Sequence, residues 1–246
     1  MLAQLRMILE ADGLDYRKSS NLQGILMERI SADYAEELHR QQMHPYSQYL
    51  LMEDGKPVWY INTVSREAYE EIICRFMDGP NTFEIRHPYR LQARIQEKNL
   101  MVKEKSGLLQ DFYNQKANHS IEVEFLTPTA FRQNACYIIL PDIRLLCQSL
   151  MMKYSVASDQ IEMVDEEALQ EMSLGCIFSK HRLHSLRFPM EGTTIPGFVG
   201  SVTIRCRGTE IMMRYLRLLL QFGEFSGVGI KTAMGMGAMR IRRDDA

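Results

Sequence analysis

The chain has 246 residues, 46% of them hydrophobic and 24% charged, with a formal net charge of -2 at pH 7. That is the make-up of an ordinary globular protein, long enough for one large core or two small ones. No run approaches a membrane span, and the apolar start, interrupted by Arg6, is too short for a signal peptide, so no membrane partner and a cytoplasmic location are expected.

Leu2 to Ile8 is apolar enough for a first strand. Asn21 is placed to cap a helix with Leu22, Ile25, Leu26 and Ile30 on one face. A second helix starts at Asp33, with Glu36 three residues on as in a capping box. It turns Ala35 and Leu38 inward and leaves His39 at its C-terminal end, where the helix dipole favours a protonated imidazole. Pro45 stops it. Tyr49 to Met52 and Pro57 to Val64 read as strands joined by a Glu53-Asp54-Gly55-Lys56 turn. Ser65 then caps a helix with Ala68, Ile72, Ile73 and Phe76 on its apolar side, and Thr82 to Ile85 and Leu91 to Val102 add strand, with Pro88 between them. The order is β-α-β-β-α-β with an extra helix, a ferredoxin-like unit.

The polar stretch Ser106 to Asn118 reads as the crossing into a second unit, which places the domains at 1–117 and 118–246. Ser120 to Leu126 is strand, Asp142 to Met152 helix, Cys176 to Phe188 and Phe198 to Arg207 a strand pair, Ile211 to Phe222 helix, and Met234 to Ile241 the closing strand. The expected fold is α+β: two tandem ferredoxin-like domains with a cleft between them. Five cysteines, at 74, 136, 147, 176 and 206, show no C-x-x-C spacing and read as reduced core residues, not zinc ligands. Seventeen methionines are explained by core plasticity before metal or flavin chemistry.

The last closing segment follows the most unusual stretch, in which Gly227, Gly229, Gly235 and Gly237 surround Lys231 and Thr232. Ile230 separates Gly229 from Lys231-Thr232, which rules out a P-loop, and Thr232 stands where a dinucleotide fingerprint needs its third glycine. Both motifs also follow a strand and open a helix, whereas this loop follows a helix and leads into a strand. No nucleotide cofactor is expected. Glycines let another molecule approach the main chain, and successive N–H groups make an anion-binding concavity to which Lys231 adds charge. The plainer reading is a glycine-rich loop that serves only the fold.

The whole G-x-G-x-K-T-x-x-G-x-G pattern, preceded by Ile195-Pro-Gly-Phe-Val-Gly200, resembles the C-terminal signature of the CRISPR-associated family-six endoribonucleases of the repeat-associated RNA-binding superfamily. Leu22-Gln-Gly24, Leu38-His39, Pro45-Tyr-Ser47 and Thr127-Pro-Thr129-Ala-Phe131 match it in order, so the resemblance spans nearly the whole chain. It implies an enzyme that cuts CRISPR repeat RNA in precursor transcripts (pre-crRNA) without a cofactor. A larger effector complex and a homodimer are the further assemblies left open.

The charge distribution agrees with an RNA partner. From Lys180 to Arg243 there are eleven basic residues against three acids, a net of +8 in a chain whose total is -2. Such a segment is the footprint of a phosphate chain, and Lys180 and Arg182 join Gly227, Gly229, Lys231, Thr232, Gly235 and Gly237 as expected RNA contacts. RNA can be cut without metal, because its own 2′-hydroxyl can attack the adjacent phosphorus if the protein supplies a base, an acid and positive charge. No cluster of Asp, Glu or His has the spacing of a two-metal nuclease site.

His39 matches the family's catalytic histidine by its Leu38-His39 setting. The family's commonest arrangement adds a tyrosine and a lysine. Met27 stands in the position of the first, and His44, just before Pro45, in that of the second. His44, Arg29 and Tyr46 are therefore the candidate catalytic partners, with Arg40 and Tyr34 also near in sequence. A silent RNA-binding module is the alternative, and only the N-terminal histidines separate the two.

Overall fold

A computed structural model describes residues 1–86, 90–114, 119–157, 164–190 and 192–242; His87, Arg243 and the expected boundary between 117 and 118 lie outside the described residues. In the first half, β1 (Leu2–Glu10) leads through α1 (Ser19–Arg29) and α2 (Ala32–Arg40) to the hairpin β2 (Tyr46–Glu53) and β3 (Lys56–Thr63). Then come α3 (Arg66–Ala68), a π-helical segment Tyr69–Cys74, α4 (Arg75–Asp78), β4 (Thr82–Ile85) and β5 (Leu91–Lys103). The sheet runs β2-β3-β1-β5-β4 and is antiparallel throughout.

After α5 (Lys105–Asn114) the second half repeats the circuit. It contains β6 (Ser120–Thr129), a small hairpin β7 (Phe131–Gln133) and β8 (Cys136–Ile138), α6 (Ile143–Ala157), α7 (Glu166–Gly175), the long hairpin β9 (Cys176–Met190) and β10 (Thr193–Cys206), α8 (Glu210–Ser226) and β11 (Met239–Ile241). Its sheet runs β11-β6-β10-β9. In each half the closing strand lies beside the first, and the first beside the third, which is the ferredoxin-like order. No described helix is long and apolar enough to cross a membrane.

Local chemistry moves several boundaries. α1 starts before Asn21, because Asp15 caps a 3-10 turn, Tyr16–Lys18, that feeds directly into it. α2 is capped by Ser31 and not by Asp33, and the acid that completes the box is Glu71, which accepts from the Ser31 N–H and hydroxyl at 3.4 and 2.8 Å. The expected long final strand shrinks to three residues, since Thr232–Met234 is a 3-10 turn and the glycines after it break the ladder. Helices α5 and α7 and the β7–β8 hairpin had no clear periodic signal.

Each half has its own apolar core under its sheet. They are joined at three places. Phe222 and Phe225 of α8 pack with Leu2, Val64 and Leu108; Met236 and Phe188 meet Tyr16; and Ala233 of the glycine loop enters the first half's core. Beside Ala233 sits Gln48, fully buried, whose amide nitrogen donates to Ser19 O at 2.8 Å and Ala233 O at 3.2 Å while its oxygen accepts from Trp59 Nε1 at 2.8 Å.

Gly235, at φ +116°, is pressed onto α1 so closely that an added Cβ would lie 2.4 Å from Ser19 Cβ, whereas Gly24 in mid-α1 has nothing within 4 Å of such an atom. Gly235→Ala should lose roughly 2 kcal/mol or more through strain and overpacking. Gly24→Ala should gain about 0.5–1 kcal/mol as an exposed helix position. Urea unfolding midpoints of the two variants check the contrast, and equal shifts would contradict the packing of the loop on α1.

Candidate active site

A cavity of about 410 Å³ opens where the start of β2, the glycine loop and α6 meet, lined by Gln23, His44, Arg132, Lys153, Lys231 and Thr232 among others. Among the described residues that line it there is no carboxylate. Its cations, Arg132, Lys153 and Lys231, come from the second half of the chain, and the first half adds Gln23 and His44; such a gathering of positive charge suits a polyanion.

His44 comes from the loop between α2 and β2, and its ring stacks on Tyr46 at 5.5 Å between centroids and 30° between planes. Its Nδ1 is buried without a hydrogen-bond partner. Burial, and then the charges of His39, Lys231 and Lys153, pull its pKa below the usual histidine value. At neutral pH in the free protein His44 is therefore the neutral ring. It cannot serve as the permanent charge of the lysine whose place it takes.

Lys231 is exposed at the cavity rim and holds φ +57°. In a loop with four glycines, the one position in the left-handed region that carries a side chain carries a cation, at a cost of about 1 kcal/mol. Backbone strain retained at such a point is a functional signal. Arg132 faces the cavity from β7, at the base of a hairpin turned by Asn134 and Ala135 at φ +49° and +63°.

Lys153 sits on α6. Its Nζ donates to Thr232 Oγ1 at 2.8 Å and Ser226 O at 3.1 Å, and burial pushes its pKa down to about 7. Sequence reasoning missed both Arg132 and Lys153. Lys153 had a usable signal: it falls on the stripe Leu146, Leu150, Lys153, where spacings of four and three call for an apolar residue.

The glycines mostly serve the protein's own chain. Gly227, Gly235 and Gly237 are buried and do not line the cavity. The loop's N–H groups are largely consumed internally: Val228 N donates to Gly237 O, Ile230 N to Ala130 O, Gly237 N to Pro128 O and Gly229 N to Ser149 Oγ. A Cβ on Gly229 would meet Ala130 O at 2.3 Å. The expected open concavity of N–H groups is thus corrected for these three glycines. Gly229, Lys231 and Thr232 are the parts that reach the cavity.

The other expected site residues scatter. His39 is exposed in the last turn of α2, close enough for its charge to act on His44. Tyr46 is buried, its pKa pushed up to about 12 by burial, so it supports His44 from beneath and has no path to a substrate. Tyr34 is buried as well. Arg29 is turned away: its guanidinium lies 4.4 Å over the Phe76 ring and donates to Pro80 O at 2.8 Å, so it binds α1 to the α4–β4 corner. Arg40 pairs with Glu36.

Lys180 and Arg182 are exposed on the edge strand β9, outside the cavity. The basic segment is less free than its linear count implies. Arg240 and Arg242 pair with Glu122 and Glu124 of β6, acids from outside the segment.

Residues 123–239 match the family model described as CRISPR-associated endoribonuclease Cas6. Over 252 residues the chain is 36% identical to a CRISPR-associated endoribonuclease Cas6 from Mycobacterium tuberculosis, covering 98% of this chain and 78% of that protein. It is 28% identical to one from Streptococcus thermophilus, covering 89% and 88%. Among solved structures it superposes on a Cas6 product complex with a TM-score of 0.81 at 22% identity, covering 98% of this chain and 99% of that one. The Thermus thermophilus Cas6 gives 0.75 at 22%, covering 98% of each.

Replacing Lys231 by glycine removes a strained side chain and a cation together. Lys231→Gly should raise stability by up to about 1 kcal/mol and shift the His44 titration upward, because one of the charges that disfavours its protonation is gone. Urea unfolding and an NMR pH titration of the His44 ring read the two effects; an unmoved titration would mean that Lys231 does not act on His44.

Proposed function

Since the chain belongs to the Cas6 family of CRISPR-associated endoribonucleases, we propose that it cleaves CRISPR repeat RNA in precursor transcripts without a metal, leaving a 5′-hydroxyl and a 2′,3′-cyclic phosphate. The observation that supports this reading is the carboxylate-free cavity shared by His44, Arg132 and Lys231. A phosphodiester brings negative charge that grows as the phosphorane forms, and a site of converging cations without acids favours that change. Relatives in the same fold have been solved as product and substrate-mimic complexes.

The 2′-oxygen attacks the adjacent phosphorus, its proton passes to a base, and the 5′-oxygen leaves with a proton from an acid. His39, exposed at the end of α2 and close enough for its charge to act on His44, is the base in this reading. His44 carries the second proton. Its lowered pKa makes it a strong proton donor once charged, while Lys231 and Arg132 supply the positive charge beside it. The two histidines have opposed requirements, so the rate passes through a maximum in pH. Lys180 and Arg182 lie on β9, on the flank of the second sheet, where they hold the repeat by its phosphates.

Purified protein incubated with its own repeat RNA in excess chelator should give a 5′-hydroxyl and a 2′,3′-cyclic phosphate on end-group analysis. Activity lost to chelator and restored by magnesium, or a 5′-phosphate product, would sink the mechanism. His39→Ala should lose at least about a hundredfold in single-turnover rate while holding RNA within a few fold of wild-type affinity. Lys231→Ala should instead weaken binding and flatten the salt dependence by a slope of about 0.7 to 0.9.

A further inference from the structure

Lys153 occupies a position that α6 otherwise gives to core leucines, and the proton transfers above make no use of it. Its ammonium carries three N–H donors. Two are committed, one to Ser226 O in the last turn of α8, where the helix dipole favours a cation, and one to Thr232 Oγ1. Thr232 Oγ1, having accepted from an ammonium, must turn its own hydrogen elsewhere. Ser149, one helical turn before Lys153, is in the same condition, since its Oγ accepts from Gly229 N at 2.8 Å. Ser149, Lys153 and Thr232 all line the cavity, and no carboxylate lines it with them. Among the described residues, two hydroxyl hydrogens and one ammonium hydrogen at one wall thus have no acceptor.

We propose that Ser149, Lys153 and Thr232 form a subsite that binds the non-bridging oxygens of one phosphodiester of the RNA. This rests on the repeat-RNA reading. A phosphate oxygen supplies the acceptors that all three groups lack and the counter-charge that Lys153 lacks. It therefore also changes the protonation of Lys153. The titratable groups that share the cavity with it are Lys231, Arg132 and His44, with Lys105 donating to Ala157 O one turn further along α6. Among the described lining residues none is an acid, so none of them opposes the burial that pulls Lys153 down to about 7. An entering phosphate raises it again. Above pH 7 binding then takes up a proton, and affinity falls as pH rises.

The test uses repeat RNA with a 2′-deoxy nucleotide at the mapped cleavage position. Its affinity for wild-type protein should fall between pH 7 and 9 with a slope approaching about tenfold per unit, and calorimetry in two buffers of different ionisation enthalpy should count about one proton taken up at pH 8. Lys153→Gln should lose the slope and His44→Gln should keep it. Thr232→Val should weaken binding severalfold and Thr232→Ser restore it. Wild-type binding without proton uptake overturns the subsite alone, and this needs no variant to fold. A slope that survives in Lys153→Gln overturns it too. Failure of wild type to bind the RNA at any pH sinks the repeat-RNA reading and the subsite with it.

Discussion

A buried glutamine holds the site together. Gln48 lies on β2 with no exposed surface, and both ends of its amide are bonded: its oxygen accepts from Trp59 Nε1, and its nitrogen donates to Ser19 O and Ala233 O. Leaving a buried donor or acceptor unpaired costs about 1–3 kcal/mol, so the arrangement is kept or lost as a unit. Ser19 starts the helix that carries Gln23, and Ala233 belongs to the turn that follows Lys231. One side chain therefore sets the height of the glycine loop against the first half's core. Two residues upstream on the same strand, Tyr46 supports His44.

From that constraint the roles of the glycines follow. The loop must press against α1, against Ala130 and against its own returning strand, and at each contact a Cβ would fall within 3 Å of another atom. Removing side chains from the loop makes the approach possible; placing Lys231 at the one strained non-glycine position aims a charge outward. The motif is thus a packing device that brings two side chains, Lys231 and Thr232, to the cavity.

Charge is sorted in the same way. Carboxylates on the second sheet's β6 are held by Arg240 and Arg242, and Arg214 is held by Glu210, while the cavity keeps Arg132, Lys153 and Lys231 away from acids. Surface pairs of this kind contribute little to stability. Their effect is to decide where the field of the protein is positive. In this chain of net charge -2, the local arrangement and not the total makes an RNA-binding surface possible.

Much of this was legible in the residues. Apolar periodicity located both strand circuits, Ser65 and the Asp54-Gly55 turn marked their ends, and the order of short motifs around Leu38-His39 and the glycine loop pointed to the family. Arg29 shows the limit, because proximity in sequence to His39 made it a candidate, yet Phe76, Pro80 and Phe83, some fifty residues on, claim its guanidinium. Glu71 capping α2 from another helix is the same kind of case.

What the sequence by itself determined is the local alphabet: which segments alternate, which repeat at helical spacing, where the chain must turn, and which histidine carries a known setting. Only the tertiary structure decided who faces whom. Lys153 and Arg132 join His44 because α6 and β7 of one half meet the loop before β2 of the other at one cavity, and Tyr46 stays out of that cavity because it is buried in the first half's core. Burial and long-range charge set these roles, and both depend on contacts between residues a hundred or more positions apart, which no local pattern records.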